Sequence, residues 1–346
     1  MLTVIFGAGA SFDSDPSHFP KKGNIGGDRP PLANELFADR ELFNSVLRLF
    51  PACLPVVPPL RQLSGGASIE QVLERLQEES REGANPDFER SRQLAAIRFY
   101  IQTVIFRCTQ QWREQMGGVT NYVTLLDEIR HSGNRDVALV TFNYDTLVES
   151  AIAQLISANP TTLDGYLELG LFALFKVHGS VNWGRVVTQH STTHVNPSDI
   201  ISAALIRDAP TIEVSDQYRL IAGAAPIVKD ADSVLFPAVA VPVQTKQSFE
   251  LPANHLVDLV RRLKAATHVL IVGWRGMDGH FAALLRDHLP ASAAIQIVCG
   301  ESSGEVRDTL VRLGVQGSYD IQAHTFSSYV VTRAGSDFLS AAGRNV

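Results

Sequence analysis

Four short apolar runs constrain this chain more than any other feature: Leu2 to Phe6, Val137 to Thr141, His268 to Val272 and Ile295 to Cys299. All are rich in Val and Ile and apolar at nearly every position. That pattern fits strands buried on both faces better than strands with one wet face. Three run directly into glycine or polar loops, as the carboxyl edge of a doubly wound parallel sheet requires. Helical periodicity follows: Val148, Ile152, Leu155 and Ile156 share a face after Asp145, and HFAALLRDHL does the same after Gly279. A strand-like segment, Tyr319 to Phe326, precedes a last helix. The expected fold is α/β, a Rossmann-like parallel sheet flanked by helices.

About 130 residues separate the first two runs, far more than a simple crossover needs. SIEQVLERLQEES, 68–80, opens with a capping box, Ser68 to Gln71, and Leu94, Ile97, Ile101, Val104 and Ile105 repeat the helical spacing. A large helical insertion of three to five helices is therefore expected after the first strand. The proline- and glycine-rich stretch 12–31 before it reads as a loop able to cover a ligand. Residues 159–229 have weaker periodicity and read as a smaller irregular or partly β module. The expected division is a core of 1–14, 132–158 and 230–346, a loop plus helical insertion over 15–131, and the small module 159–229.

Composition excludes several classes. Apolar residues make up 45% and charged residues 19%, which suits a globular chain better than a disordered one. The formal charge of −6 gives no basic surface for direct nucleic-acid contact. VLFPAVAVPV, 234–243, is too short and proline-broken to span a bilayer, and no signal peptide is expected, because none is visible before the first strand. Cys53, Cys108 and Cys299 are odd in number and far apart, so neither a disulfide framework nor a Cys-x-x-Cys zinc site can be written. A reducing, cytoplasmic setting is expected.

The chemistry-bearing residues cluster where strands end. VIFGAGASFDS, 4–14, passes from a strand into Gly7, Ala8, Gly9, Ala10 and Ser11. This turn either brings backbone amides to a phosphate or is a tight bend capped by Ser11. TFNYDTLVE, 141–149, puts Asn143 and Asp145 at the carboxyl end of a strand; the pair can bind ribose hydroxyls and a carboxamide or hold a water, and Asp145 can equally cap the following helix. In KVHGSVNW, 176–183, His178 has a side chain that titrates near neutrality, either a base or a structural residue. IVGWRGMDGH, 271–280, offers Gly273, Trp274 and Asp278 as a second wall of a nucleotide cleft, with Arg275 near phosphate, and Glu301 after the next strand can reach an adenosine ribose. His190 and His194 have the spacing of helical metal ligands, but Ser-Thr-Thr between them is a poor helix former, so they read as loop residues.

Taken in order, GAGAS, FNYD, KVHGS and VGWRGMDGH resemble the sirtuin-like family of NAD-consuming domains. The resemblance covers roughly 1–14, 137–182 and 230–326 and says little about the helical insertion. It implies that Gly7, Ala8 and Gly9, with Ser11 beside them, grip the dinucleotide. It further implies that Asn143 and Asp145 meet the nicotinamide ribose and carboxamide, and that His178 is the catalytic base. Protein deacylases of the family carry a four-cysteine zinc module, whereas no two cysteines here are closer than 55 residues. The chain therefore resembles the zinc-free bacterial branch, often found in antiviral defence, whose members hydrolyse NAD. That branch implies NAD as substrate with no further cofactor or metal, a homo-oligomer, and a HerA-like ATPase or short Argonaute as partner. A sensor that binds NAD or ADP-ribose without turnover, and a zinc-free deacylase, are the alternatives. A hydride-transfer enzyme fits worst, because Phe12 stands at the third-glycine position and no acidic residue follows at the required distance.

Overall fold

The computed structural model describes residues 1–16, 29–62, 68–81, 87–188, 197–221, 223, 228–230, 233–243 and 249–344. Most of the expected covering loop, and His190 and His194, lie outside the described residues. The chain divides into two compact units: one of 1–30, 109–178 and 246–346, the other of 31–108 and 179–245.

The first unit is built on a six-stranded sheet of β1 (Leu2–Phe6), β2 (Val137–Thr141), β3 (Phe172–Lys176), β8 (His268–Val272), β9 (Ala294–Val298) and β10 (Ser318–Gln322); β4 to β7 belong to the other unit. The strands lie in the order β10-β9-β8-β1-β2-β3, every neighbour pair parallel. Counting only this sheet's strands along the chain, the order is 3-2-1-4-5-6, that of dinucleotide-binding Rossmann folds. The connection reverses between β1 and β8, so the loops that leave these two strands flank the topological switch point.

Every residue of β1, β2, β3 and β8 is buried, which accounts for their largely apolar sequences. The edge strand β10, SYDIQ, is largely exposed and correspondingly polar. Helix Ala253–Ala265 directs Leu259 and Leu263 into the core on one face, each contributing about 1.5–3 kcal/mol by burial. Helices Asn121–His131 and Leu147–Ile156 pack against each other.

The division of the chain differs from the expected one in several places. Residues 159–178 belong with the sheet, because β3 pairs in parallel with β2, Thr141 opposite Lys176. FALFK has no β-branched residue, so its strand signal was weak. Residues 109–131 also belong to the first unit instead of to the insertion.

The second unit contains helix Phe88–Gln115 up to residue 108 and an antiparallel sheet of β4 (Gly179–Thr188), β5 (Glu213–Leu220), β6 (Lys229–Asp230) and β7 (Ser233–Val239) in the order β5-β4-β7-β6. The capping box forms as read: Ser68 N–H donates to Gln71 Oε1 at 3.1 Å, and Gln71 N–H to Ser68 Oγ at 3.2 Å. VLFPAVAVPV supplies β7 and so falls in this unit instead of in the core. Between β1 and β2 the described residues form helices and no strand. Among the described residues no single helix is long and apolar enough to cross a membrane.

Candidate active site

At the switch point the loops after β1 and β8 lie backbone against backbone. Gly7 N–H donates to Val272 O at 3.0 Å and Gly9 N–H to Gly273 O at 3.1 Å. A methyl group on Gly7 would lie 2.4 Å from Gly273 O and 2.5 Å from Trp274 Cα, both fixed backbone atoms. Gly273 adopts φ +64°, and a methyl there would meet Ala10 N at 2.3 Å. These glycines therefore do something the sequence argument did not assign them. Their amides and missing side chains join the two loops, and the half-buried Ala8 and Gly9 form the part of the turn that solvent reaches.

Ser11 follows on the short helix Ala8–Phe12 and is 1% exposed. It is the hub of a buried network. Its Oγ donates to Asp145 Oδ2 at 2.6 Å, lies 2.9 Å from Tyr122 OH, and accepts from Asn143 Nδ2 at 2.8 Å. Asn143 Nδ2 also donates to Gly7 O at 2.9 Å. A carbonyl can only accept, so this contact fixes which end of the amide is NH2 and directs Oδ1 to the other side. The protons then have one consistent order. The single Ser11 hydrogen goes to the Asp145 carboxylate, so Tyr122 donates to Ser11, and Asn143 donates to Ser11 and Gly7. Burial raises the Tyr122 phenol well above its usual range, which keeps it a donor.

Asp145 has both carboxylate oxygens engaged inside the protein: Oδ2 with Ser11, and Oδ1 with Leu147 N–H at 3.0 Å at the start of helix Leu147–Ile156. Its geometry favours the capping alternative, combined with a role in orienting Asn143 through Ser11. Ser11, likewise expected at the dinucleotide, is committed to the same task.

His178 stands two residues beyond the end of β3, and Asn143 two beyond the end of β2. Thr141 pairs with Lys176, and Val177 N–H reaches Thr141 O at 3.1 Å, so the two residues occupy equivalent places on adjacent strands, roughly 5 Å apart in strand spacing. His178 Nε2 lies 2.9 Å from Asp278 Oδ2, with both side chains about nine-tenths buried. Asp278 is the N-cap of helix Gly279–His288, its Oδ1 accepting from Phe281 N–H at 2.9 Å. The cap holds the carboxylate, and the carboxylate holds the ring. A carboxylate only accepts, so Nε2 carries a proton, and in the neutral ring the lone pair is on Nδ1. Phe142 packs edge-on against the imidazole, centroids 4.9 Å apart, and stacks on Trp274 at the same separation with 9° between planes.

The remaining expected residues divide clearly. Trp274, 5% exposed, belongs to the core stack with Phe142 and Phe281. Arg275 and Glu301 are exposed on the loops after β8 and β9 at the same carboxyl edge. The Cys299 thiol donates to Trp274 O and is pushed up to about 11 by burial, far from a reactive thiolate. No group of three or more His, Cys, Asp or Glu side chains able to hold a metal ion occurs among the described residues. Sequence reasoning missed Tyr122, which lies in the stretch assigned to the insertion, and the pairing of His178 with Asp278.

Together these features define a Rossmann-like α/β unit with a histidine–aspartate pair and an oriented asparagine at the carboxyl edge of its sheet. No family model matches the chain, and no curated protein matches it. Among solved structures, one titled as a Sir2 homologue–NAD complex is 14% identical with a TM-score of 0.42, covering 99% of this chain and 89% of its own. Two ADP-ribose complexes of single-residue Sir2-homologue mutants are 14% and 13% identical with TM-scores of 0.40 and 0.42, each covering 99% of this chain and 92% of the other. The fold assignment rests on the strand order and register.

Proposed function

We propose that this protein is an NAD glycohydrolase that cleaves the nicotinamide–ribose bond to give nicotinamide and ADP-ribose. The observation that carries the reading is the Asp278-held His178, with Nδ1 as its basic nitrogen, one strand from an asparagine whose acceptor oxygen is directed by a buried network. A pure sensor has no use for an oriented base.

The chemistry follows from charge. The nicotinamide of NAD is cationic, so the electron pair of the C1′–N bond leaves with a neutral base and no strong general acid is required. A water oxygen forms the new bond to the oxocarbenium-like C1′, and its proton passes to His178 Nδ1. Asn143 Oδ1 accepts a hydrogen bond from that water or from a ribose hydroxyl, so that the reactants are held in line. Ser11, Tyr122 and Asp145 hold Asn143, and Asp278 holds His178. The half-buried Ala8 and the exposed Arg275 and Glu301 are assigned to phosphate and adenosine ribose.

The same reading carries three further proposals: a bacterial defence role, homo-oligomerisation, and control by a HerA-like ATPase or short Argonaute. Purified protein incubated with NAD, alone and with such a partner, is the test. Nicotinamide should be released by the wild type and lost in His178→Ala and Asn143→Ala. Equal rates in the variants would contradict the assignment.

A further inference from the structure

Beneath the loop that carries Asn143 and Asp145 lies an ion pair with no part in the chemistry described so far. Lys176, the last residue of β3, is completely buried. Its Nζ lies 3.0 Å from Glu149 Oε1 on helix Leu147–Ile156, and it also donates to the backbone carbonyl of Asp145. Glu149 Oε1 further accepts from Tyr166 OH at 3.2 Å, while Oε2 is buried with no hydrogen-bond partner. Full burial of two charges with one oxygen left unsatisfied is a costly arrangement, and apolar residues of the same shape would often be at least as stable. Stability alone therefore gives a poor reason for a lysine here.

The bond to Asp145 O supplies a better one. Lys176 lies two residues before His178 on β3, and the carbonyl it grips belongs to the residue that receives the Ser11 proton. The ammonium thus joins the β3 end, which carries the base, to the β2 loop, which carries the asparagine. Glu149 neutralises the ammonium and lets it stay buried. We infer that Lys176 is a positioning residue that fixes the Asn143–Asp145 loop relative to His178, an inference that rests on the glycohydrolase reading for its effect on turnover but not for its effect on the loop.

Lys176→Met alone leaves the Glu149 charge buried without its cation, so that variant can fail to fold for trivial reasons. The informative pair is Glu149→Gln, in which Lys176 loses its counter-ion but, even as a neutral amine, still has an N–H for Asp145 O, and Lys176→Met/Glu149→Gln, in which both charges go and the shape stays. Each is compared with the wild type by melting temperature, kcat and KM for NAD, and hydrogen exchange of the Tyr144 to Leu147 amides. The double variant should fold with near-native melting, exchange faster at these amides, and lose about 100-fold in kcat with KM little changed. Glu149→Gln should keep its exchange protection and most of its turnover even where its melting temperature falls. Turnover that follows melting temperature through the series, or unchanged exchange in the double variant, would overturn the inference. If the wild type releases no nicotinamide, the glycohydrolase reading fails, and the exchange pattern alone still decides whether Lys176 pins the loop.

Discussion

Asp278→Asn separates the two tasks of one carboxylate. Asp278 accepts twice, from Phe281 N–H through Oδ1 and from His178 Nε2 through Oδ2, each at 2.9 Å. Asparagine offers one acceptor and one donor, so one partner must lose. If the carbonyl faced His178, the amide NH2 would oppose Phe281 N–H and the helix cap would be lost, at a cost of about 0.5–2 kcal/mol. If the carbonyl keeps the cap, where asparagine serves as well as aspartate, the NH2 points at Nε2 and drives the ring proton to Nδ1. The second arrangement costs less, and it takes the lone pair away from the reacting side. The expected result is a loss of about 10²–10⁴ in kcat, or about 2.7–5.4 kcal/mol of barrier. Stability should fall by less than about 1 kcal/mol, because the cap survives. Steady-state nicotinamide release with a parallel melting curve measures both. Wild-type turnover in a folded Asp278→Asn variant would refute the claim that this pair sets the base.

Gly7→Ala should abolish soluble, folded protein, because its methyl would lie 2.4 Å from the Gly273 carbonyl, with no flexible side chain to yield; circular dichroism and a melting curve report it. Tyr122→Phe removes the donor to Ser11 and an acceptor 3.2 Å from Asn143 Nδ2, so kcat should fall while KM for NAD holds, and melting should drop by about 1 kcal/mol equivalent. His255 is fully buried between Tyr166 and Phe175, Nε2 donating to Leu163 O, and burial lowers its pKa below 6.5. The unfolded chain therefore binds its proton first. Stability should be full above pH 6.5 and decline as the pH falls from there toward the folded pKa. Melting curves from pH 7.5 to 5 should show this decline, reduced in His255→Gln.

The parallel sheet was legible because β1, β2, β8 and β9 are continuous Val- and Ile-rich runs, a signature that two-sided burial imposes. FALFK was not, since phenylalanine, alanine and leucine serve a helix as well as a strand. Asn143 and His178 were legible as candidates by their places after strand ends, yet their equivalence across β2 and β3 depends on a register no sequence displays. Gly7, Gly9 and Gly273 announced a turn without saying what approaches it. The approaching group is the other loop, which sequence spacing cannot reveal. Tyr122, and the pairing of Asp278 with His178, escaped for the same reason. Tyr122 reaches Ser11 from 111 positions away, and Asp278 reaches His178 across 100.

Whether the oriented histidine and asparagine turn substrate over or only hold it is decided by counting nicotinamide released per protein molecule from excess NAD, at neutral pH, with the partner protein supplied. The glycohydrolase reading predicts many equivalents of nicotinamide matched by ADP-ribose, and none above background in His178→Ala. Tight binding with NAD left intact would contradict it and would identify a nucleotide sensor instead.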